Sequence, residues 1–480
     1  MSYQKKFATN VFFLIFTNLL VKPFWIFGID RVVQNQVGEN EYGLYFAVFN
    51  YSYIFSIVLD FGINTYNNRL ISRNPNRLGE YFINLFSLKF ILAIVYLLIS
   101  FISAILIGMN AAFIKLLLIL VFNQIILSYI LYLRSNFVAL HEFKKDTFLS
   151  VSDKLIAIFI CGYIIYFSSV SITIFSFIYA QTASFVITAI IGFLLLKNKI
   201  NFSPTWWRAA FFKKILYKSF PYALMALLMS IYYRIDAVII EKICGSNEVG
   251  IYAAAYRMLD AISQFGYLFS VPLLPLFTRM LKNKEAVAPL LFFCHQLMLF
   301  FAVSSTAFCF AFSTDFTQLL YHHDDSYHAK IFGSLLLSFV PISFVYVYGT
   351  LLLAGGKLKE INAISAIGVV INVVLNILLV KSHAAYGSVI ATAITQLMVS
   401  ASFVYLCYKD FKLPFDMWLY IKNAGFILSI GASLWLLVFY KINFYQAAIL
   451  YSLGAVLLAF VWQLFSINDL KNKLQLFTKK

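Results

Sequence analysis

Arg257 is a full positive charge inside an apolar run, and polar residues follow it at helical spacing: Asp260, Ser263, Gln264 and Tyr267, with Tyr256 beside it. On a helix these residues share one face. Asp260 lies three positions on and is within reach of the guanidinium. A charge in the middle of a membrane-spanning helix costs about 2.5–3.5 kcal/mol even on the gentler scale, so each such residue needs a reason to be there. Two reasons fit Arg257. It binds an anionic ligand, or it holds two helices together through Asp260. Arg234 presents the same choice between facing a polar groove and snorkelling to the interface. Lys22 does too, and it precedes Pro23, which removes a backbone hydrogen bond and bends the helix. Lys89, Asp153 and Lys154 lie one or two turns inside apolar runs, where they either make a mouth basic or anchor helices at the interface. Asp60 ends a run, where it serves a site, caps a helix end or pairs with a loop.

The runs that carry these charges define the chain. Hydrophobic residues make up 62% of the 480 residues and charged residues 12%. Ordinary globular domains have about 45–50% and about 25%. That much apolar surface suits a bilayer, and no polar stretch is long enough for a soluble domain. Fourteen segments are long enough to span, near 8–28, 42–62, 82–108, 112–133, 147–167, 170–196, 218–240, 250–278, 287–312, 331–354, 359–380, 385–408, 416–440 and 443–466. They are too long for barrel strands. Backbone groups in lipid must be satisfied within a segment, so the expected fold is all-α and integral to the membrane.

The net charge of +17 is spread over many short loops. It reads as a topology signal rather than a nucleic-acid surface. Alternate loops, taken with both termini, hold 25 Lys and Arg, and the remaining loops hold five. This bias predicts both termini on the cytoplasmic side. Lys5 and Lys6 open an apolar run with no small-residue cleavage site after it, so the first segment reads as an uncleaved span. The five cysteines lack metal or disulfide spacing and read as packing residues. The stretch Tyr321 to His328 contains three histidines and two aspartates but matches no zinc template, so a solvated outer loop is expected. No nucleotide-binding GxxxxGK[ST] and no nucleophile–base pair is found.

One phrase occurs twice, 207 positions apart. Gly38 to Tyr45 matches Gly245 to Tyr252 at six of eight places, counting Leu44 and Ile251 as equivalent. Asn40 and Asn247 are expected to cap helix starts, and Gly43 and Gly250 to permit close helix packing. The duplication predicts two six-helix lobes in parallel repeat, related by an axis along the membrane normal, plus two extra C-terminal helices. The expected divisions are residues 1–200 for the first lobe, 201–217 for a cytoplasmic linker, 218–410 for the second lobe, and 411–480 for the last two helices and tail. Trp206, Trp207 and nearby basic residues predict an interfacial segment in the linker.

Several motifs, in their order and spacing, resemble the O-antigen (Wzx-type) polysaccharide flippases of the MOP exporter superfamily, which are related to MATE exporters and lipid II flippases. They are Asp60-Phe61-Gly62 with Arg69 and Arg73; Pro221 through Asp236 to Gly250-Ile251-Tyr252-Ala253-Ala254-Ala255-Tyr256-Arg257; Pro275; Gly355-Gly356-Lys357; Asn372 with Asn376; and Gly387 with Ala391-Thr392. The resemblance covers essentially the whole chain. It implies a two-lobed, V-shaped transporter working by alternating access in the bacterial cytoplasmic membrane. The cargo would be an oligosaccharide on an undecaprenyl-diphosphate carrier, moved to the periplasmic leaflet for surface polysaccharide synthesis. Cations in the groove, with Arg257, Arg234, Lys22, Asp260, Lys89, Lys154 and Asp60 as candidates, would offset the diphosphate. Membrane lipids and polysaccharide-pathway proteins such as a polymerase are the implied partners, with no nucleic acid. No cofactor is expected, and coupling to a proton or sodium gradient stays open. A lipid II flippase or an ion-coupled MATE-type exporter is the alternative. MATE proteins typically have twelve spans and suit anionic rather than cationic cavities. A polymerase would carry a large outer loop, which is missing here.

Overall fold

The computed structural model describes residues 17–18, 20–73, 78–169, 171–200 and 209–464. The interfacial segment expected around Trp206 and Trp207, the start of the first span and the tail from 465 lie outside these residues. Among the described residues the fold is all-helical, with no strand. Twelve helices are long and apolar enough to cross a membrane. Large apolar side chains such as Leu106, Phe159, Phe167 and Leu428 stand on the surface, 73–81% exposed. Water does not tolerate so wide an apolar surface, and lipid does.

The chain forms two compact units, residues 1–250 and 251–480. The first contains α1 (Leu20–Asp60), α2 (Ile63–Arg73), α3 (Leu78–Ile107), α4 (Ala111–Ala139), α5 (Phe143–Tyr166), α6 (Ile174–Lys197) and α7 (Ala209–Cys244). Helix α7, expected to open the second lobe, packs within this unit against α1. Pro23 in α1 is followed at once by a wide π-helical turn, Trp25–Asp30. Further on, Gly38 (φ 82°) breaks the helix. In a straight helix Asp30 and Tyr42 would stand about 18 Å apart, yet the Tyr42 hydroxyl donates to Asp30 Oδ2 at 2.8 Å. The chain therefore turns back at Gly38. Buried hydroxyls and amides tie the helices together where apolar packing alone would leave register loose. Asn67 donates to Ser135 Oγ (2.8 Å) and Asn136 Oδ1 (3.1 Å), and Thr182 donates to Asn123 Oδ1 (2.7 Å).

The second unit contains most of α8 (Ser246–Ser270), then α9 (Leu273–Lys282), α10 (Ala288–Ala311), α11 (Ser313–Tyr321), α12 (Ser326–Leu337), α13 (Phe339–Ala354), α14 (Leu358–Asp410), α15 (Met417–Phe439) and α16 (Phe444–Val461). Helix α14 reverses at Ala384 (φ 50°). A methyl built on Gly368 would lie 2.9 Å from Val399; in a straight helix those residues would be about 46 Å apart. Ser388 Oγ donates to Asn376 Oδ1 across the reversal at 2.5 Å. Two of the twelve are broken, at Gly38 and at Ala384, in stretches where hydropathy reads two segments each. Buried His295 joins three helices. Its ring stacks on Phe344 with centroids 4.7 Å apart, Nδ1 meets the Tyr348 hydroxyl at 3.1 Å, and Nε2 meets the Asn423 amide at 3.1 Å.

The repeated phrase takes the same backbone path in both copies. Gly38 and Gly245 have φ of 82° and 89°, and a helix follows each. Asn247 falls inside the first turn of α8 rather than at its cap, because the helix begins at Ser246. The left-handed glycine has already turned the chain one residue earlier.

Candidate functional site

Three cations converge inside the first unit. Lys22 on α1 lies within the electrostatic reach of Lys154, Arg134 and Asp153. Lys154 on α5 sits 3.4 Å from Asp153 Oδ2. Its ammonium stands over two rings, Trp25 (5.1 Å to the centroid) and Phe185 (5.2 Å). Each such contact is worth about 0.5–2 kcal/mol. Arg134 near the end of α4 donates from Nε to Asp146 Oδ1 at 2.7 Å. Among the described residues its terminal amino groups make no hydrogen bond. Trp25 is held by stacking on Phe177, centroids 5.6 Å apart. Asn18, just ahead of α1, donates to Ser150 Oγ on α5 at 3.1 Å.

The sequence places these groups by simple periodicity. Asp146, Ser150 and Asp153 follow one another at spacings of four and three, so they share one face of α5. The π turn after Pro23 shifts the helix register and brings Trp25 under Lys154. Lys22, Arg134 and Lys154 thus share this part of the bundle with the carboxylates of Asp146, Asp153 and buried Asp30. Ammonium and guanidinium groups are the donors that a phosphate takes.

The structure brings Lys22 and Lys154 together, as candidates on separate helices. It gives Lys89 and Asp60 a shared position elsewhere. Lys89 is 2% exposed. Its Nζ donates to the Leu59 carbonyl at 2.8 Å and lies 3.9 Å from Asp60 Oδ1. Asp60 in turn accepts from the Asn64 backbone N–H at 3.1 Å, at the start of α2. Phe61 (φ 42°) and Gly62 (φ 79°) take the left-handed conformations that end a helix. The Asp60-Phe61-Gly62 motif is thus a helix terminus with an ammonium placed on its last carbonyls.

Arg234 on α7 faces α1. Its Nη1 donates to Asn50 Oδ1 at 3.3 Å, and the guanidinium lies 5.3 Å over the Tyr53 ring. Buried Asp236 lies two residues on and points away from it. In the second unit, Arg257, Asp260 and Gln264 run along one face of α8, all half-buried and each engaged with a partner. The histidine-rich loop forms a helix cap. Asp325 Oδ1 accepts from the Tyr327 and His328 backbone N–H groups, both at 3.0 Å, and Asp325 Oδ2 meets His328 Nδ1 at 2.5 Å. Burial pushes the Asp325 carboxyl up, but the hydrogen bonds and charge of His328 and the Tyr327 N–H together outweigh it and hold the carboxyl down at about 2.

Sequence reasoning missed Arg134 and Asp146. Both lie beyond the apolar stretches, and Arg134 counted only as a loop charge. The signal was the i, i+4, i+7 polar spacing on α5 continued past the hydropathy boundary.

The family described as "Polysaccharide biosynthesis protein" matches residues 7–281, more than half the chain. No curated protein gives a significant match. The fold is similar to a lipid II flippase MurJ in an inward closed conformation, with TM-score 0.70 and 17% identity over 95% of this chain and 97% of that one. It is also similar to an inward-facing multidrug resistance MATE family transporter, with TM-score 0.65 and 15% identity over 83% and 98%. A MOP superfamily transporter from Pyrococcus furiosus gives TM-score 0.55 and 15% identity over 85% and 97%. At such identities the likeness is one of fold. The chain belongs to the polysaccharide biosynthesis protein family, and its helical fold is similar to that of MOP superfamily transporters.

Proposed function

We propose that this protein is a flippase rather than an enzyme. It moves an oligosaccharide linked to undecaprenyl diphosphate from the cytoplasmic to the periplasmic leaflet by alternating access. The observation that carries this reading is the convergence of Lys22, Arg134 and Lys154 within the helices of the first unit. A diphosphate entering lipid must shed water, and a preformed cationic site offsets that loss. Aromatic rings beside the ammonium exclude water and strengthen the attraction. Family membership supports a saccharide cargo, and the flippase among the similar structures supports a lipid-linked one. The charge bias between loops supports cytoplasmic termini in the inner membrane, so the product would be delivered at the outer face to a polysaccharide polymerase.

The test uses the full-length protein in proteoliposomes with fluorescent undecaprenyl-diphosphate oligosaccharide, reading outer-leaflet exposure by quencher accessibility. Transport by the wild type that falls at least about tenfold in Lys22→Gln and Lys154→Gln supports the proposal. Lipid II as the sole cargo, export of cationic drugs only, or unchanged transport in both variants overturns it.

A further inference from the structure

The second unit holds a groove of about 690 Å³ between α10–α11 and the turn joining α15 to α16. That volume falls within the range of about 300–1,000 Å³ common for small-ligand sites. One wall carries Asp315, Gln318 and His322, and the other carries Lys441, Phe444 and Tyr445. Among the described residues, the side chains of Asp315, Gln318, His322 and Lys441 make no hydrogen bond or ion pair within the protein. They are therefore available to a ligand.

From this groove we infer that the outer end of the second unit binds a saccharide. The lining combines one carboxylate, one ammonium, one imidazole and one amide. The opposed charges disfavour a strongly anionic or cationic ligand. Paired donors and acceptors match vicinal hydroxyls, which both give and take hydrogen bonds. Sugar rings also carry apolar C–H faces, and aromatic rings take these up. Tyr445 is 63% exposed at the rim. Phe444 forms a firm floor, packed on Phe308, Phe312 and Phe316 with centroids 5.9, 6.0 and 5.1 Å away.

The walls are preorganised. His322 (φ 61°) and Lys441 (φ 50°) both hold left-handed backbone conformations, one on each wall. His322 N–H donates to the Gln318 carbonyl at 3.1 Å, and Lys441 N–H donates to the Val438 carbonyl at 3.0 Å. Asn443 Oδ1 accepts from the Tyr445 N–H at 3.0 Å and fixes the start of α16. Holding the backbone of both walls in place before binding lowers the ordering cost of a weak polar ligand. Assignment to the outer face rests on the sidedness proposed above. There, the groove would hold the sugar portion of the cargo after it has crossed.

The experiment is saturation-transfer NMR on the full-length protein in lipid nanodiscs. The probes are the methyl glycosides of glucose, galactose, N-acetylglucosamine and rhamnose. Transfer to at least one probe, weakened about tenfold in Gln318→Leu and Tyr445→Ala and kept in Lys154→Gln, is the expected result. No transfer to any probe, or transfer that persists in both groove variants, overturns the inference. Nanodiscs expose both faces, so this readout is independent of flippase activity and of orientation. Labelling of His322→Cys in intact cells with an impermeant maleimide, in a Cys244→Ser background because Cys244 is itself exposed, reads the side. Labelling supports the outer placement, and protection in cells with labelling after lysis overturns it.

Discussion

Gly43 and Gly250, the matching glycines of the repeated phrase, lie backbone to backbone. A methyl on Gly43 would overlap the Ser246 carbonyl and stand 2.6 Å from the Gly250 nitrogen; one on Gly250 would overlap the Glu39 carbonyl and stand 2.7 Å from its Cα. Gln34 adds a hydrogen bond to the Gly250 carbonyl at 3.1 Å. The two copies of the phrase thus pack on each other as well as resembling each other. Backbone cannot retreat as a flexible side chain can. Gly43→Ala and Gly250→Ala should each cost about 1–3 kcal/mol or more, read as a lower thermal midpoint of the purified protein. Gly454→Ala, at a glycine with open space around it, should change little.

Arg257 and Asp260 share a face of α8. If Arg257 contacts substrate through charge, Arg257→Lys should keep most transport and Arg257→Ala should lose at least about tenfold. If the residue only balances Asp260, the double Ala variant should recover activity, since no unpaired charge stays buried. The substrate reading predicts that the double variant stays inactive. Proteoliposome transport normalised to folded protein measures both.

Lys89 holds the end of α1 through the Leu59 carbonyl. Lys89→Met keeps the apolar stem and removes the ammonium, leaving a buried carbonyl with one donor fewer. The expected loss is about 1–3 kcal/mol of stability, with transport per folded molecule unchanged. A large drop in transport at unaltered stability would assign Lys89 to the cargo instead.

Asp325 caps α12, and its carboxyl is held at about 2. A depressed carboxyl contributes stability that is fully present above the unfolded value of about 3.9 and is lost as pH falls through about 2. Protection of the α12 amides in hydrogen exchange should therefore be constant from neutral pH to about 5, apart from intrinsic rates. It should weaken in strong acid. Asp325→Ala should remove about 1 kcal/mol at neutral pH and abolish that acid sensitivity.

The helices were legible because each apolar run exceeds the length a bilayer needs. Their ends were not. Hydropathy placed one span at 112–133, whereas α4 continues to Ala139; the next was placed at 147, whereas α5 begins at Phe143. Helices continue through the interface for as long as their backbone hydrogen bonds allow, and those polar extensions carry Arg134 and Asp146. Lys22 and Lys154 stood out as charges within apolar runs. Their convergence depends on the π turn after Pro23, and the sequence marked the proline but not the register shift. Lys89 looked the same as Lys154 in sequence. What separates them is the left-handed turn at Phe61, which gives Lys89 a carbonyl to hold.

The reversal of α14 at Ala384 bears on how the protein is made. The 53 residues from Leu358 to Asp410 turn through a single non-helical residue, with Gly368 against Val399 and Ser388 against Asn376. Between the arms there is no free loop for an insertion machine to thread after the first arm has partitioned. An arm inserted alone would expose the Asn376 and Ser388 polar groups to lipid, each without the other. Entry of the two arms as a pair is therefore the expected route into the bilayer, since it spares lipid those unmatched groups.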